Sequence, residues 1–464
     1  MKTLKNLTPL SPMNFYCISL GCAKNRVDSE IMLHQLSSRG FQPTSEPEKA
    51  EIILINTCSF IESATQESIE TILEAARLKK EGACRALVVT GCFPQRYGEA
   101  LIEQMPEVDL FLGTESFSEI ADQLSSLLAG QSISRMLLGP DPKLWKEPSG
   151  RALTTTPGTA YLKIAEGCSN RCAYCTIPSI RGPFRSRSPQ LLIQEALMLA
   201  EQGVRELILI AQDITCYGSD LGKSAPTLPG LIKKLLKIPS LDWLRLLYLR
   251  PERITAELLR LIAGESRICP YLDIPLQHVS ERVLKAMHRP VSQKAIQKLI
   301  ENIKETIPKA ALRTTFMVGF PGEEEEDFQE LVDFVKAGHF DHIGVFQYSA
   351  EEGTPAASLK NQVSQEVRKY RYQQLMKIQK KISLKKNRSR INTVEPVLVT
   401  GLSPESDLLI QGRTRFQAPE VDGVIYITDG EPRIGAIVPV RITAAHEYDL
   451  EGVTVDSCHP SRPI

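Results

Sequence analysis

No apolar run in this chain approaches bilayer-spanning length, which argues against a helical membrane protein. Net charge is also missing: fifty-five basic residues balance fifty-five acidic ones, so overall charge selects no partner. The opening Met1-Lys-Thr-Leu-Lys-Asn-Leu-Thr-Pro has no apolar h-region, so a cytoplasmic location is expected, a setting that keeps thiols reduced. What remains is an ordinary globular composition, 42% hydrophobic and 24% charged, long enough for about three domains of roughly 150 residues each. Eleven cysteines are present. Cys17, Cys84, Cys216, Cys269 and Cys458 share no pattern and read as small buried or incidental thiols. The other six fall into two triplets.

The first triplet is local. Cys168-Ser-Asn-Arg-Cys172-Ala-Tyr-Cys175 places three thiols in a CxxxCxxC spacing just after a strand-like run at 161–165. Three thiolates in one loop can grip three corners of a cubane iron–sulfur cluster and leave the fourth iron open to a small molecule, whereas an electron carrier is normally closed by four Cys. Structural zinc is the weaker reading, because no His or fourth Cys lies nearby to complete a tetrahedron. A disulfide with a spare thiol fits a reducing compartment worse still.

The second triplet is dispersed. Strand-like runs at 15–20, 51–55 and 86–89 lead into Ser19-Leu-Gly-Cys22, Ile55-Asn-Thr-Cys58 and Thr90-Gly-Cys92, with helix-like stretches near 27–39, 61–81 and 94–105. Alternating strands and helices predict a parallel α/β sheet whose post-strand loops gather on one edge. Three distant cysteines would then meet as a second open-sided cluster site; the alternative is three buried cysteines that happen to end strands. Gly21 and Gly91 precede two of the thiols, where a bare backbone would let a cluster approach.

Residues 139–158 are rich in Pro, Gly, Ser and Thr and read as linker. Beyond them, candidate strands at 161–165, 206–211, 243–248, 271–274, 312–318 and 342–347 alternate with helical segments such as 189–202 and 292–306. Six such units predict a partial parallel barrel with its chemistry at the carboxy-terminal strand ends, where the CxxxCxxC loop falls. Gln212, Asp213, Gln277, His278, residues 319–323 and residues 348–353 stand at the same ends; ordinary caps and turns are the alternative for each. Residues 323–327 read as the acidic first turn of a helix, and His278 and His288 as structural. Residues 366–390 form a basic helix with ten Lys/Arg, either a solvated face or a phosphate track. Short strands at 396–400, 407–410, 423–427 and 437–443 then predict a small β-barrel of the oligonucleotide-binding kind.

The CxxxCxxC loop, with Tyr174 as the aromatic before its last Cys, resembles that of the radical S-adenosylmethionine (radical SAM) superfamily. Gly21-Cys-Ala-Lys-Asn-Arg-Val-Asp-Ser-Glu30, Asn56-Thr-Cys-Ser-Phe60 and Thr90-Gly-Cys-Phe-Pro-Gln-Arg96 resemble the amino-terminal domain of the methylthiotransferases. Gly412-Arg-Thr-Arg415 and Pro419-Glu-Val-Asp-Gly423 resemble the TRAM domain that closes such chains. The resemblance implies an α/β architecture of three parts: a parallel α/β domain at 14–130, then after a linker at 131–153 a partial (βα)6 radical SAM barrel at 154–388, and a small antiparallel β-barrel at 389–457. It implies one [4Fe–4S] cluster on Cys168, Cys172 and Cys175, and an auxiliary [4Fe–4S] cluster on Cys22, Cys58 and Cys92. S-adenosylmethionine would be both radical source and methyl donor, with Tyr174, Gln212, Asp213 and Gln277 as its candidate contacts.

The family divides by substrate, a tRNA adenosine or an aspartate of ribosomal protein S-twelve. A module meant for RNA should be basic. Residues 391–457 instead carry eleven acids against four arginines, a difference of 4 − 11 = −7, which repels RNA and steers a basic protein, unless the preceding helix packs against the module and offsets its field. Ser19-Leu-Gly-Cys-Ala-Lys-Asn-Arg-Val-Asp-Ser-Glu30, Ile177-Pro-Ser-Ile-Arg-Gly182 and Tyr448-Asp-Leu-Glu-Gly452 also resemble the ribosomal-protein branch. The resemblance implies that a radical takes a β-hydrogen from the aspartate, that sulfur associated with the auxiliary cluster is transferred, and that S-adenosylmethionine supplies the methyl group. S-twelve, free or within the small ribosomal subunit, and an electron donor are the expected partners; a tRNA-modifying enzyme and an iron–sulfur electron carrier are the competing readings.

Overall fold

The computed structural model describes residues 13–139, 150–222 and 224–455. They form two compact units. The first runs to Thr154 and includes Glu166–Asn170 and Cys175–Phe184; the second comprises Thr155–Ala165, Arg171–Tyr174 and the chain from Arg185 onward.

The first unit is built on a six-stranded, all-parallel sheet. Strands Ile52–Thr57 and Ala86–Gly91 are buried at every residue, the continuous apolar pattern of central parallel strands covered on both faces. Asn14–Ser19 pairs with Ile52–Thr57, which pairs with Ala86–Gly91. Ser19 stands opposite Asn56, and Thr57 opposite Gly91, so the three strands end along one edge. Helices Ala23–Ser38, Glu62–Glu81 and Ile120–Leu128 flank the sheet, and Ile53, Ile55, Ile72, Val89, Phe93 and Phe111 form its core. The single helix expected near 94–105 is two, Cys92–Tyr97 and Ala100–Gln104. Two-residue edge strands, Gln42–Pro43 and Met136–Leu137, complete the sheet and are too short to leave a period in the sequence. The second of them lies within the stretch read as linker, of which residues 140–149 fall outside the described residues.

In the second unit, six parallel strands follow one another in chain order as two three-stranded sheets. Thr159–Lys163, Glu206–Ile210 and Trp243–Leu246 make one; Tyr271–Asp273, Ala311–Val318 and His342–Gln347 make the other. The Leu249 amide donates to the Asp273 carbonyl at 2.9 Å and Leu244 bridges to Ile268, which carries the arc across the join. The partial barrel expected from the period is therefore present. Helix Gln365–Arg388 follows, burying Arg371, Leu375, Gln379 and Ser383 at four-residue steps.

The chain then closes a five-stranded barrel, with the strand Leu450–Thr454 added to those expected. Every pairing is antiparallel except Ile425–Asp429 with Leu450–Thr454. Its turn at 414–422 docks against the amino-terminal ends of the core strands. Arg413 reaches Glu206 at 2.6 Å and Thr159 at 3.1 Å, the Tyr271 hydroxyl donates to Asp422 at 2.6 Å, and His342 Nε2 lies 2.9 Å from the Phe416 carbonyl. In a parallel barrel that face supports stability, and chemistry sits at the other. No helix among the described residues is long and apolar enough to cross a membrane.

Candidate functional site

Adjacent parallel strands put the dispersed cysteines at one edge of the sheet within the first unit. Cys22 caps helix Ala23–Ser38, Cys58 follows its strand directly, and Cys92 opens helix Cys92–Tyr97. The glycines between strand and thiol are required by both backbone and space. Gly21 has φ of 88°, and a Cβ there would sit 2.6 Å from Cys58 Cβ and 3.0 Å from its sulfur; Gly91 has φ of 99°, and a Cβ would sit 2.4 Å from Asn56 Oδ1. Asn25 ties the edge together, donating to the carbonyls of Leu20 at 3.0 Å and Thr57 at 2.9 Å.

Burial, followed by the charges of Cys92 and Cys22, pushes the Cys58 thiol up to about 12. Burial also raises Cys92, against the Arg181 guanidinium. Thiols so placed resist ionising, yet favour it once a cationic centre replaces their protons, and a cubane cluster is such a centre. Thiols at one sheet edge are the donor type that an iron–sulfur cluster takes. Among the described residues, no group of three or more His, Cys, Asp or Glu side chains is gathered as a metal-ion site.

Arg181 is the residue that sequence reasoning missed. It ends helix Ile177–Arg181, is buried, and meets Asp28 at 3.2 Å, Glu166 at 3.0 Å, Asn25 Oδ1, and Cys92 Sγ at 3.7 Å. Burial opposes its charge, but Glu166, Cys92 and Asp28 together hold it protonated. The signal was an arginine inside the segment after the third loop cysteine, visible only as part of a family motif.

The local triplet occupies the loop between Glu166 and helix Ile177–Arg181. Within the first unit, the Cys168 amide donates to the Gly182 carbonyl at 3.0 Å, and Asn170 Nδ2 lies 3.4 Å from the Cys168 sulfur. In the second, Arg250 Nη1 lies 3.8 Å from the Cys172 sulfur, and Ala173 is pinned by the Met287 carbonyl at 3.0 Å and by the Ala356 amide at 2.8 Å. Tyr174 packs with Phe320, Tyr348, Met287 and Val283.

Of the strand-end candidates, Gln212 follows strand Glu206–Ile210, and its buried Oε1 finds no hydrogen-bond partner among the described residues. Asp213 is occupied: it accepts from the Thr215 amide at 3.0 Å as a cap and pairs with Arg253 at 2.7 Å. Gln277 has φ of 74°, a strained conformation for a side-chain-bearing residue, held by its amide donating to the Thr315 carbonyl at 2.8 Å.

Of residues 323–327, Glu325, Glu326 and Asp327 form the expected acidic first turn, and Glu323 lies outside it. Helix Glu325–Lys336 begins two residues later, with Glu324 and Asp327 as a reciprocal capping box, because Glu323 is drawn inward. Its carboxylate accepts from the Phe320 amide at 3.0 Å and lies 3.0 Å from Arg371. Burial pushes Glu323 up to about 7 despite Arg371, and pushes His278 down to about 3. His278 is structural, its Nδ1 accepting from the Ser280 amide at 3.0 Å. Because the fold favours the neutral form of Glu323, its contribution to stability is full below pH 4.5 and fades as pH rises through about 7. Glu323→Gln is expected to flatten that part of the stability profile. Urea midpoints between pH 5 and 8 on both proteins test this, and parallel profiles would refute it.

Three segments match known families: residues 14–113 match the uncharacterized protein family UPF0004, 162–335 the radical SAM superfamily, and 392–455 the TRAM domain. Among solved structures, the radical S-adenosylmethionine methyltransferase TsrM from Kitasatospora setae superimposes with a TM-score of 0.56 at 15% identity, over 75% of this chain and 77% of that one. The cobalamin-dependent radical enzyme OxsB gives 0.52 at 12% identity, over 80% and 56%. Fold and loop thus define a radical SAM protein with a TRAM module. Over 94% of its length the chain is 50% identical to the ribosomal protein uS12 methylthiotransferase RimO of Geotalea uraniireducens, covering 97% of that protein. It is 49% identical to the RimO of Syntrophotalea carbinolica over 95% of this chain and 96% of the relative. The chain belongs to the RimO family of radical SAM methylthiotransferases.

Proposed function

We propose that this protein places a methylthio group on the β-carbon of an aspartate in ribosomal protein uS12. The observation that carries this reading is near-half identity over almost the whole chain to proteins named for that activity. Cys168, Cys172 and Cys175 would hold one [4Fe–4S] cluster and Cys22, Cys58 and Cys92 a second. When bound, these clusters and S-adenosylmethionine supply the one-electron chemistry, the sulfur and the methyl group. The chain's own contribution is placement. Gln212 offers S-adenosylmethionine a desolvated acceptor, Tyr174 and Gln277 complete its candidate contacts, and Asp213 positions Gln212 by capping the turn that follows it. Arg250 places a guanidinium donor 3.8 Å from the Cys172 sulfur.

Charge at the carboxy-terminal barrel supports a protein substrate. Arg413 and Arg415 are engaged with the core, Arg415 donating to the Ile268 carbonyl at 2.5 Å, so two of the module's four arginines are withdrawn from its surface. Helix Gln365–Arg388 and its extension offset two of the module's acids, through Lys380 to Glu447 at 3.2 Å and Arg390 to Glu395 at 3.9 Å, and Asp422 is paired with Arg313 at 3.4 Å, which leaves acids in excess among the module's eleven.

Anaerobic reaction of the iron-loaded protein with S-adenosylmethionine, an electron donor and purified small ribosomal subunits is expected to add one methylthio group to uS12, read by fragment mass analysis. Modification of tRNA with uS12 unchanged would reject the substrate assignment. Converting Cys22, Cys58 and Cys92 to Ala is expected to leave about half the iron, one cubane of two. Undiminished iron would remove the auxiliary cluster from this account.

A further inference from the structure

Helix Gln365–Arg388 carries a second stripe that the core does not use. Lys369, Gln373, Lys377, Lys381 and Lys385 recur at four-residue steps, the first four each two positions before a member of the buried set Arg371, Leu375, Gln379 and Ser383. Two positions turn an α-helix by about 200°, so the stripe follows the buried one on the opposite side and is exposed throughout. It spans roughly 24 Å. Neighbouring cations are occupied: Lys380 pairs with Glu447, Lys386 with Asp341 and Arg371 with Glu323. The helix contains a single acid, Glu366, in its first turn.

At one end Tyr370 is 54% exposed, and with Lys336, Lys377 and Lys381 it lines a groove of about 360 Å³ against helix Glu325–Lys336. Glu325 at the groove is paired with Arg371, and Asp333 on the facing helix with Lys336.

We infer that this stripe is a docking track for an RNA backbone, and specifically that the protein meets its substrate inside a ribonucleoprotein particle. Regularly spaced cations beside an exposed aromatic suit phosphates with an adjacent base to stack. The stripe has no apolar residue to insert into a bilayer, which disfavours a membrane surface. The chain is neutral overall, so such a concentration is a local feature and does not follow from a generally basic composition. The second unit thus carries both this cationic stripe and a carboxy-terminal barrel of acidic composition, chemistry suited to RNA and to a basic protein respectively. The identity of that protein rests on the uS12 reading; the RNA track does not.

A labelled single-stranded poly(U) oligonucleotide titrated with the full-length protein at several salt concentrations tests the track. Contact of the four lysines with four phosphates predicts a slope of log affinity against log salt of about −2.8, and K377E/K381E/K385E should make it shallower by about 2 while weakening binding at least about tenfold. The reversal K294E/K298E, on the exposed side of helix Gln293–Thr306, should change neither. Poly-glutamate binding as tightly as poly(U) at equal salt would overturn the inference in favour of an acidic protein partner. So would an unchanged slope in the triple variant. In the methylthiolation assay the triple variant should lose yield on whole small subunits and keep it on isolated uS12. Failure to modify uS12 in either form, with RNA binding intact, would instead count against the substrate assignment.

Discussion

Arg181→Met is expected to destabilise the first unit by about 3–5 kcal/mol, the range for removing one partner of a buried ion pair. The side chains of Asp28 and Glu166 are only 4% and 3% exposed, so losing the guanidinium strands two carboxylates away from water. Asn25 loses its Arg181 donor as well. Arg181→Lys keeps the charge without the forked geometry and should fall between the two. A chain of several domains does not unfold in two states, so hydrogen exchange resolved by peptide is the suitable measurement. Protection around Asp28 and Cys92 should drop in the Met variant, and unaltered protection there would contradict the ion-pair account. The same charge opposes proton retention by Cys58 and Cys92, so the Met variant should also retain less iron when Cys168, Cys172 and Cys175 are replaced by Ala.

A loss of similar size, about 3–5 kcal/mol, is expected from Glu206→Gln in the second unit. Glu206 is fully buried between Arg245 and Arg413, both at 2.6 Å. Burial alone would raise its pKa; Arg413 and Arg245 outweigh that and hold it at about 2. Its contribution is therefore complete above pH 4.5 and is lost as pH falls through about 2. Neutralising it leaves two guanidinium groups facing each other without water. Replacing all three by apolar residues of similar volume should recover much of the loss, since burying charges is itself costly. Acid titration of ellipticity separates the cases: wild type should hold to lower pH than Glu206→Gln, and coincident curves would show that the triad is not a stabilising unit.

Much of this was legible because parallel sheets write themselves plainly into sequence. Ile52–Ile55 and Ala86–Val89 are unbroken apolar runs, and the rule that loops gather at one sheet edge was enough to place Cys22, Cys58 and Cys92 after neighbouring strands. The ion partners could not be read in the same way. Arg181 and Asp28 are 153 positions apart, and nothing in either neighbourhood marks them as a pair. Glu323 was misread for a related reason: four consecutive glutamates suggest a helix dipole, while the inward turn of the first depends on Arg371 from a later helix. Arg413 and Arg415 looked like surface charge because a motif gives residue types and not the direction in which they point.

The buried triad also sets a timetable for synthesis. Arg245 follows Glu206 by 39 residues, but Arg413 follows it by 207. At about 5–20 residues per second, the second arginine arrives roughly 10–40 s after the carboxylate. Until then the amino-terminal face of the nascent barrel is open, its Glu206 half-neutralised, and the chain is most exposed to misassembly and to chaperones. A module made long after Glu206 therefore completes the fold that residue begins, and a ribosome stalled before Arg413 should display a barrel that protease still enters.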